Sequence, residues 1–281
     1  MFPLRRVLPA LAIALACAAA AVWWTQVRFP AHAVAVPGVP RLALDVQDGV
    51  RASDVAAIRR GFAAQDAYLR AIGAGGIAAD VDVRVADGRG CKAFETSGAN
   101  GVGQTEPGWI CLDLAAPAWA YQREHEPLGR IDTPAHELVH ARQAELGCLS
   151  DGGAQRWRWL FEGTAVDLSY RALVHARLTT DTAAAATIRR FGAFARDVRP
   201  LASYEAGNGG DHAYARWHLA VRDLLRRSHQ GPEALLRFCA RAKTGAGWHA
   251  AFARTFGLSV DDFYRTFAAA LPRYASRATP R

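Results

Sequence analysis

The chain has 281 residues, 51% of them hydrophobic, and carries 34 Lys and Arg against 26 Asp and Glu, for a formal net charge of +8. This composition excludes disordered, fibrous and low-complexity proteins and predicts one globular domain, with or without a short appendage. Almost all of the positive charge is arginine, because Lys92 and Lys243 are the only lysines. Such a bias reflects genome composition as readily as a binding partner, so the charge does not predict nucleic-acid binding.

Residues 1–33 have the features of an export signal. Arg5 and Arg6 precede an uncharged run over residues 7–24, and the sequence Ala-His-Ala at 31–33 fits a small-x-small cleavage site. The run has about 18 residues, the lower limit for a membrane span, so a cleaved signal peptide and an uncleaved signal anchor both stay open. Either one predicts that the rest of the chain is exported, to the periplasm or to the outer face of the inner membrane.

Four cysteines follow the signal, and none of them forms a C-x-x-C pair. Export makes an oxidising compartment the expected one, which favours disulfides over a thiolate metal site, although some of the cysteines can also be buried free thiols. We expect Cys91 to pair with Cys111, because the Gly-rich segment between them can close a loop between neighbouring strands. The two remaining cysteines are Cys148 and Cys239.

The first predicted elements of the domain are a helix and two strands. Ser53 is a plausible N-cap of a helix that runs to about Ile72. Residues 81–85 alternate with a period of two, and residues 109–114 have the pattern of a half-buried strand. Before these elements, residues 34–50 mix apolar residues and proline without a clear period and are interpreted as a lead-in segment.

From Thr133 onward the sequence is almost entirely helical in pattern. A small sheet followed by a helical majority predicts the α+β class, here a small mixed sheet packed on a mostly helical domain. The predicted domain covers residues 51–275.

An H-E-x-x-H sequence occupies residues 136–140, and its surroundings suit a helix: Thr133 can cap it, Pro134 stands at the first helical position and Gly147 follows the last turn. On a helix the two histidines are about 400° apart, so both imidazoles project from one face and can occupy adjacent corners of a tetrahedral zinc site. Glu137 lies next to the first histidine, within reach of a water molecule at the metal without being a ligand itself.

A candidate third ligand, Glu162, follows in the run Trp-Leu-Phe-Glu-Gly-Thr-Ala at 159–165. Together the two motifs resemble the gluzincin metallopeptidases, in particular the peptidase MA-like domains of bacterial exported proteins. The resemblance implies a zincin-like fold and a Zn²⁺ ion held by His136, His140 and Glu162. Two neutral imidazoles and one carboxylate leave the fourth position of a tetrahedral ion open for water, which is typical of a catalytic site.

The resemblance covers residues of about 50–271. It extends to the segments 214–220 and 252–267, which look like the C-terminal half of these domains. In related aminopeptidases a tyrosine at a comparable place hydrogen-bonds the developing oxyanion, which suggests Tyr214 in this chain; His212 and His218 are the thermolysin-like alternatives.

The chain departs from two related patterns. No G-x-M-E-N sequence precedes the H-E-x-x-H motif, so aminopeptidase activity is not supported. The metzincin pattern is excluded because Leu146 stands where it requires histidine and Gln143 where it requires glycine.

A rival assignment of the third ligand comes from residues 163–170, which resemble the G-T-x-x-D-x-x-Y element of the aspartate-ligand zincins. In that assignment Asp167 holds the metal instead of Glu162. Five residues rotate a helix by about 140°, so the two carboxylates cannot share one face and only one can be a ligand. The W-L-x-E-G context and the shorter spacing favour Glu162.

The sequence therefore predicts an exported zinc-dependent metallopeptidase that hydrolyses peptide bonds with metal-activated water. Glu137 is its expected acid and base, and Tyr214 its expected oxyanion donor. The expected partner is a peptide or protein substrate, without nucleic acid, and the N-terminus can act as a membrane anchor; the sequence specifies no oligomeric state. Two alternatives stay open: a non-catalytic binding or scaffolding protein that keeps the zinc fold, and a hydrolase of a non-peptide amide at the cell wall.

Overall fold

The computed structural model describes residues 31–88, 91, 103–149, 156–191, 199–205, 213–243 and 247–278. Its strands are β1 (Ala31–Ala35), β2 (Leu42–Gln47), β3 (Val81–Ala86), β4 (Gly103–Glu106) and β5 (Trp109–Asp113). Its α-helices are α1 (Ala52–Ala71), α2 (Pro117–His125), α3 (Gly129–Glu145), α4 (Arg158–His175), α5 (Asp181–Phe191), α6 (Ala213–Ser228), α7 (Glu233–Ala242), α8 (Trp248–Phe256) and α9 (Val260–Ala278). A small sheet with a helical majority confirms the predicted α+β class.

The five strands form one mixed sheet in the order β1-β2-β3-β5-β4. The three central strands run parallel, and β1 and β4 pair antiparallel at the two edges. Both predicted strands are present, as β3 and β5. One face of the sheet packs on α1 and α3, where Ile58 and Phe62 of α1 meet Leu138 of α3 in a shared apolar core.

The interpretation of residues 34–50 as a lead-in was wrong, because they supply the last two residues of β1 and all of β2. In β2, Leu42, Leu44 and Val46 are buried and alternate with exposed residues, and the strand pairs in parallel with β3. This alternation extends over a single short strand that follows two prolines, too little to show a period in the sequence. The sheet therefore begins before residue 51.

The predicted export signal lies largely outside the described residues, which begin at residue 31. Its Ala-His-Ala sequence at 31–33 forms the first part of β1, an exposed edge strand. Within the described ranges, no helix combines the length and the apolar character that crossing a bilayer requires. The choice between signal peptide and signal anchor stays a prediction.

Two helix starts differ from their predictions. The cap of α1 is Arg51 rather than Ser53. The metal-motif helix α3 begins at Gly129, so Thr133 is not its cap and Pro134 lies inside it, where it removes one helical hydrogen bond. The extra turn is held by a tertiary contact, because Arg130 in that turn makes an ion pair of 2.8 Å with the buried Asp54 of α1.

Helix α3 lies between two apolar cores, and this position places the site. Leu138 packs into the core of the sheet, whereas Val139 packs into a second core formed by the helices. Trp159, Leu160 and Phe161 of α4 belong to the same helical core. The polar residues of α3 and α4 consequently meet at the boundary of the two cores.

Two disulfides are formed, one at the sheet and one in the helical core. The pair Cys91–Cys111 is formed as predicted, and Cys148, just after α3, pairs with Cys239 of α7. Disulfides are typical of oxidising compartments, so both agree with the predicted export.

Candidate metal centre

Three side chains converge where α3 passes α4. The Nε2 atoms of His136 and His140 are 3.0 Å apart, and Oε2 of Glu162 lies 3.4 Å from the first and 3.2 Å from the second. His140 and Glu162 are buried, and His136 is nearly so. Among the described residues, these three form the group of His, Cys, Asp and Glu side chains that can hold a metal ion.

The size of this triangle suits a small ion. A triangle with sides of 3.0, 3.2 and 3.4 Å has a circumradius of about 1.9 Å, so an ion about 2.0–2.1 Å from every donor fits just above its plane. The donor set of two imidazoles and one carboxylate suits zinc and other transition metals, whereas calcium and magnesium prefer oxygen ligands.

The charges of the cluster attract one another. Burial by itself raises the pKa of the Glu162 carboxyl, but the two histidines outweigh burial and hold it well below its ordinary range. Burial lowers the pKa of His140, and the negative charge of Glu162 outweighs this and raises it. The site thus keeps its carboxylate ionised and draws a positive charge, which a proton or a metal ion can supply.

Gln143 fixes the orientation of His140. In the sequence this residue was notable only because the metzincin pattern requires glycine at its position. Its Oε1 lies 2.7 Å from Nδ1 of His140, and its Nε2 donates a hydrogen bond of 3.0 Å to the backbone oxygen of Phe161. Because the amide oxygen accepts the proton on Nδ1, the Nε2 atom of His140 keeps its lone pair for the cluster. The Phe161 ring also stacks on the imidazole, with centroids 4.4 Å apart. The spacing of three residues from His140 was the signal available in the sequence.

Glu137 faces the edge strand β4 beside the cluster. Its Oε2 accepts a hydrogen bond of 2.6 Å from the Thr105 hydroxyl. The backbone of Gly103 approaches the same carboxylate so closely that a side chain there would collide with it. Glu137 contributes no donor to the triangle. No sequence pattern pointed to Thr105, because β4 is one short strand beside an irregular segment.

Tyr214, at the start of α6, also lies beside the cluster. Its ring centroid is 6.1 Å from that of His136, and its hydroxyl is within hydrogen-bonding reach of Glu162. Burial and the negative charge of Glu162 raise the pKa of the Tyr214 hydroxyl. Helix α6 comes this close because Gly163 has no side chain: a Cβ atom there would lie 2.7 Å from the backbone oxygen of Trp217.

The structure places Asp167 away from the triangle. Its Oδ2 accepts a hydrogen bond of 2.6 Å from Nε of Arg171, and its Oδ1 lies 3.2 Å from Nε2 of His218. These three side chains line a separate pocket between α4, α5 and α6. Of the two histidines considered as alternatives to Tyr214, His218 contacts Asp167. The other, His212, lies outside the described residues.

No protein-family model matches this chain, and no curated protein matches it either.

Proposed function

We propose that the chain is a zinc-dependent peptidase of the gluzincin type, with His136, His140 and Glu162 as the zinc ligands. The observation that carries this proposal is the three-donor triangle, whose sides are 3.0–3.4 Å and whose atoms belong to residue types that bind metals. The neighbouring Glu137 carboxylate supplies a proton acceptor next to that point. The resemblance of the two motifs to gluzincin sequences supports the same assignment.

The ligand set explains the choice of zinc and of hydrolysis. Zinc, when bound, polarises a carbonyl group and lowers the pKa of a water molecule to about 7. Three protein ligands leave a coordination position free, as catalytic zinc sites do and closed structural sites do not.

The chain's own residues divide the remaining work. Glu137 accepts a proton from the attacking water and passes it to the leaving amine, held in place by the Thr105 hydroxyl. Tyr214 donates a hydrogen bond to the oxyanion, and its raised pKa keeps it protonated for that purpose. Gln143 holds the His140 ring in the required tautomer.

The setting of the activity belongs to the same proposal. We place the protein outside the cytoplasm, in the periplasm or anchored to the inner membrane, with peptides or proteins as substrates. Both disulfides support this setting, because reducing compartments do not maintain such bonds.

The test is the variant Glu137→Gln, which keeps the size of the side chain and removes its basicity. We expect full zinc content and a rate of casein cleavage reduced by about 10²–10⁴-fold, since general acid–base catalysis contributes that much. The matched control is Glu124→Gln, which changes an exposed glutamate of α2 and leaves the rate unchanged.

Cleavage by Glu137→Gln at the parental rate would show the mechanism to be wrong. If the zinc-loaded parent cleaves no member of a broad peptide library, the non-catalytic binding protein becomes the better description.

A further inference from the structure

Arg158 is the first residue of α4 and lies one helical turn before Glu162. Its Nη2 atom is 3.3 Å from Oε1 of Glu162, the carboxylate oxygen that the two histidines do not contact. The arginine therefore stands directly behind a candidate metal ligand. Tyr214 is close to both, since the charges of Glu162 and Arg158 both act on its hydroxyl.

Apart from its ion pair with Glu162, this arginine leaves most of its hydrogen-bonding capacity unused. A guanidinium group carries five N–H donors, and within the described ranges no acceptor forms a hydrogen bond with that of Arg158. Its Nε is buried without a partner, while 25% of the side chain remains exposed. By contrast Arg171, on the same helix, donates from Nε to Asp167 at 2.6 Å.

The position of Arg158 is also electrostatically unfavourable by itself. It stands at the amino end of α4, where the helix dipole favours negative charge and disfavours a cation. Buried N–H groups without acceptors destabilise a protein further. The guanidinium group and the amino end of the helix both favour a bound anion. A carboxylate is the anion that fits best, because the planar guanidinium binds it through two parallel hydrogen bonds.

We propose that Arg158 binds a carboxylate group of the peptide substrate and so selects the peptides that this protein cleaves. The inference rests on the proposed peptidase function. An extended peptide advances about 3.3–3.6 Å per residue, and Arg158 is in contact with Glu162, so the bound carboxylate belongs to a residue within about two positions of the cleaved bond. The carboxylate is either the free C-terminus or an acidic side chain.

Binding in the inactive Glu137→Gln background tests this without turnover. The probes are two pairs of labelled peptides: one pair is identical except for a free or amidated C-terminus, and the other is amidated and carries an internal Glu or Gln. Fluorescence anisotropy on the zinc-loaded full chain gives each dissociation constant. We expect the acid of one pair to bind about 10- to 100-fold more tightly than its amide, the range for a hydrogen bond to a charged group. The pair that responds identifies the source of the carboxylate.

Adding Arg158→Gln is expected to abolish this preference while zinc content stays at the parental value. Adding Arg171→Gln, which changes the comparable arginine near Asp167, is expected to leave the preference intact. Should Arg158→Gln fail to fold, Arg158→Lys keeps the charge but not the planar fork, and a reduced preference is expected.

Three results would overturn the inference: equal dissociation constants within both pairs, a preference that survives the loss of Arg158, or a loss of zinc that weakens acid and amide equally. The third result would mean that Arg158 only positions Glu162. If the preference depends on Arg158 but the zinc-loaded parent cleaves no peptide, the proposed peptidase function is refuted and the carboxylate-binding site is retained.

Discussion

Helix α4 carries two buried carboxylates with similar neighbouring residues, but only one of them belongs to the candidate metal site. Glu162 and Asp167 each lie against histidine, and each has an arginine one turn away on the same helix. Both carboxyls have a lowered pKa, because cationic partners outweigh burial. Residue types alone do not distinguish the two clusters.

The direction of the lone pairs does distinguish them. Each oxygen of Asp167 lies against the nitrogen of a different partner, Arg171 or His218, so the cluster satisfies itself. At Glu162, one oxygen meets two Nε2 atoms that are themselves 3.0 Å apart, and three lone-pair atoms crowd one point. A cation is needed there and is not needed at Asp167. The two clusters differ because Glu162 faces a second imidazole, that of His140, which Gln143 holds in position.

The largest effect that separates the clusters is expected in metal binding. Glu162→Gln should lower zinc affinity more than about 100-fold, because losing a partner of a ligand already costs 10–100-fold. Asp167→Asn should keep the zinc of the parent. Metal analysis after dialysis against a weak chelator measures both. Zinc lost from the Asp167 variant alone would favour the aspartate-ligand zincin.

The second effect concerns folding rather than metal. Asp167→Asn should lower the free energy of unfolding by about 2–3 kcal/mol at pH 7, because Arg171 loses its counter-charge and the buried His218 loses the carboxylate beside its Nε2 atom. Urea unfolding of the zinc-free proteins measures it, with the exposed Asp82→Asn as a control. A variant as stable as the parent would mean that the Asp167 cluster contributes nothing.

The pH dependence of that difference has a definite sign. Burial raises the pKa of Asp167, but His218 and Arg171 outweigh it, so the folded pKa lies below the ordinary 3.8. The ionised carboxylate therefore stabilises the fold above about pH 4, and this contribution is lost as the pH falls through the folded pKa. The difference in the free energy of unfolding between the parent and Asp167→Asn should accordingly become smaller as the pH falls below 4.

The smallest of these effects is expected at Gln143. Gln143→Met keeps the volume of the side chain, frees the Nδ1 proton of His140 and should weaken zinc binding by about 10- to 100-fold. Competition with a chromophoric chelator gives the affinity. Gln65→Met, which replaces another buried glutamine whose amide has no partner, is the control. Equal losses in both variants would assign the effect to stability instead.

Much of the centre was accessible from sequence because it lies within single helices. The rotation of a helix places His136 and His140 on one face, and the same rotation keeps Glu162 and Asp167 apart. The two predicted strands, and the loop closed by Cys91 and Cys111, were predictable for the same reason: each is a local pattern in the chain.

Other features depend on contacts between distant segments. Strand β2 shows its alternation only once it is paired with β3, and the first turn of α3 depends on the ion pair with Asp54. The contact of Glu137 with β4 and the bond between Gln143 and Phe161 join separate elements. Periodicity specifies which face of a helix is polar, but which polar groups meet there depends on how the two cores pack around α3 and α4.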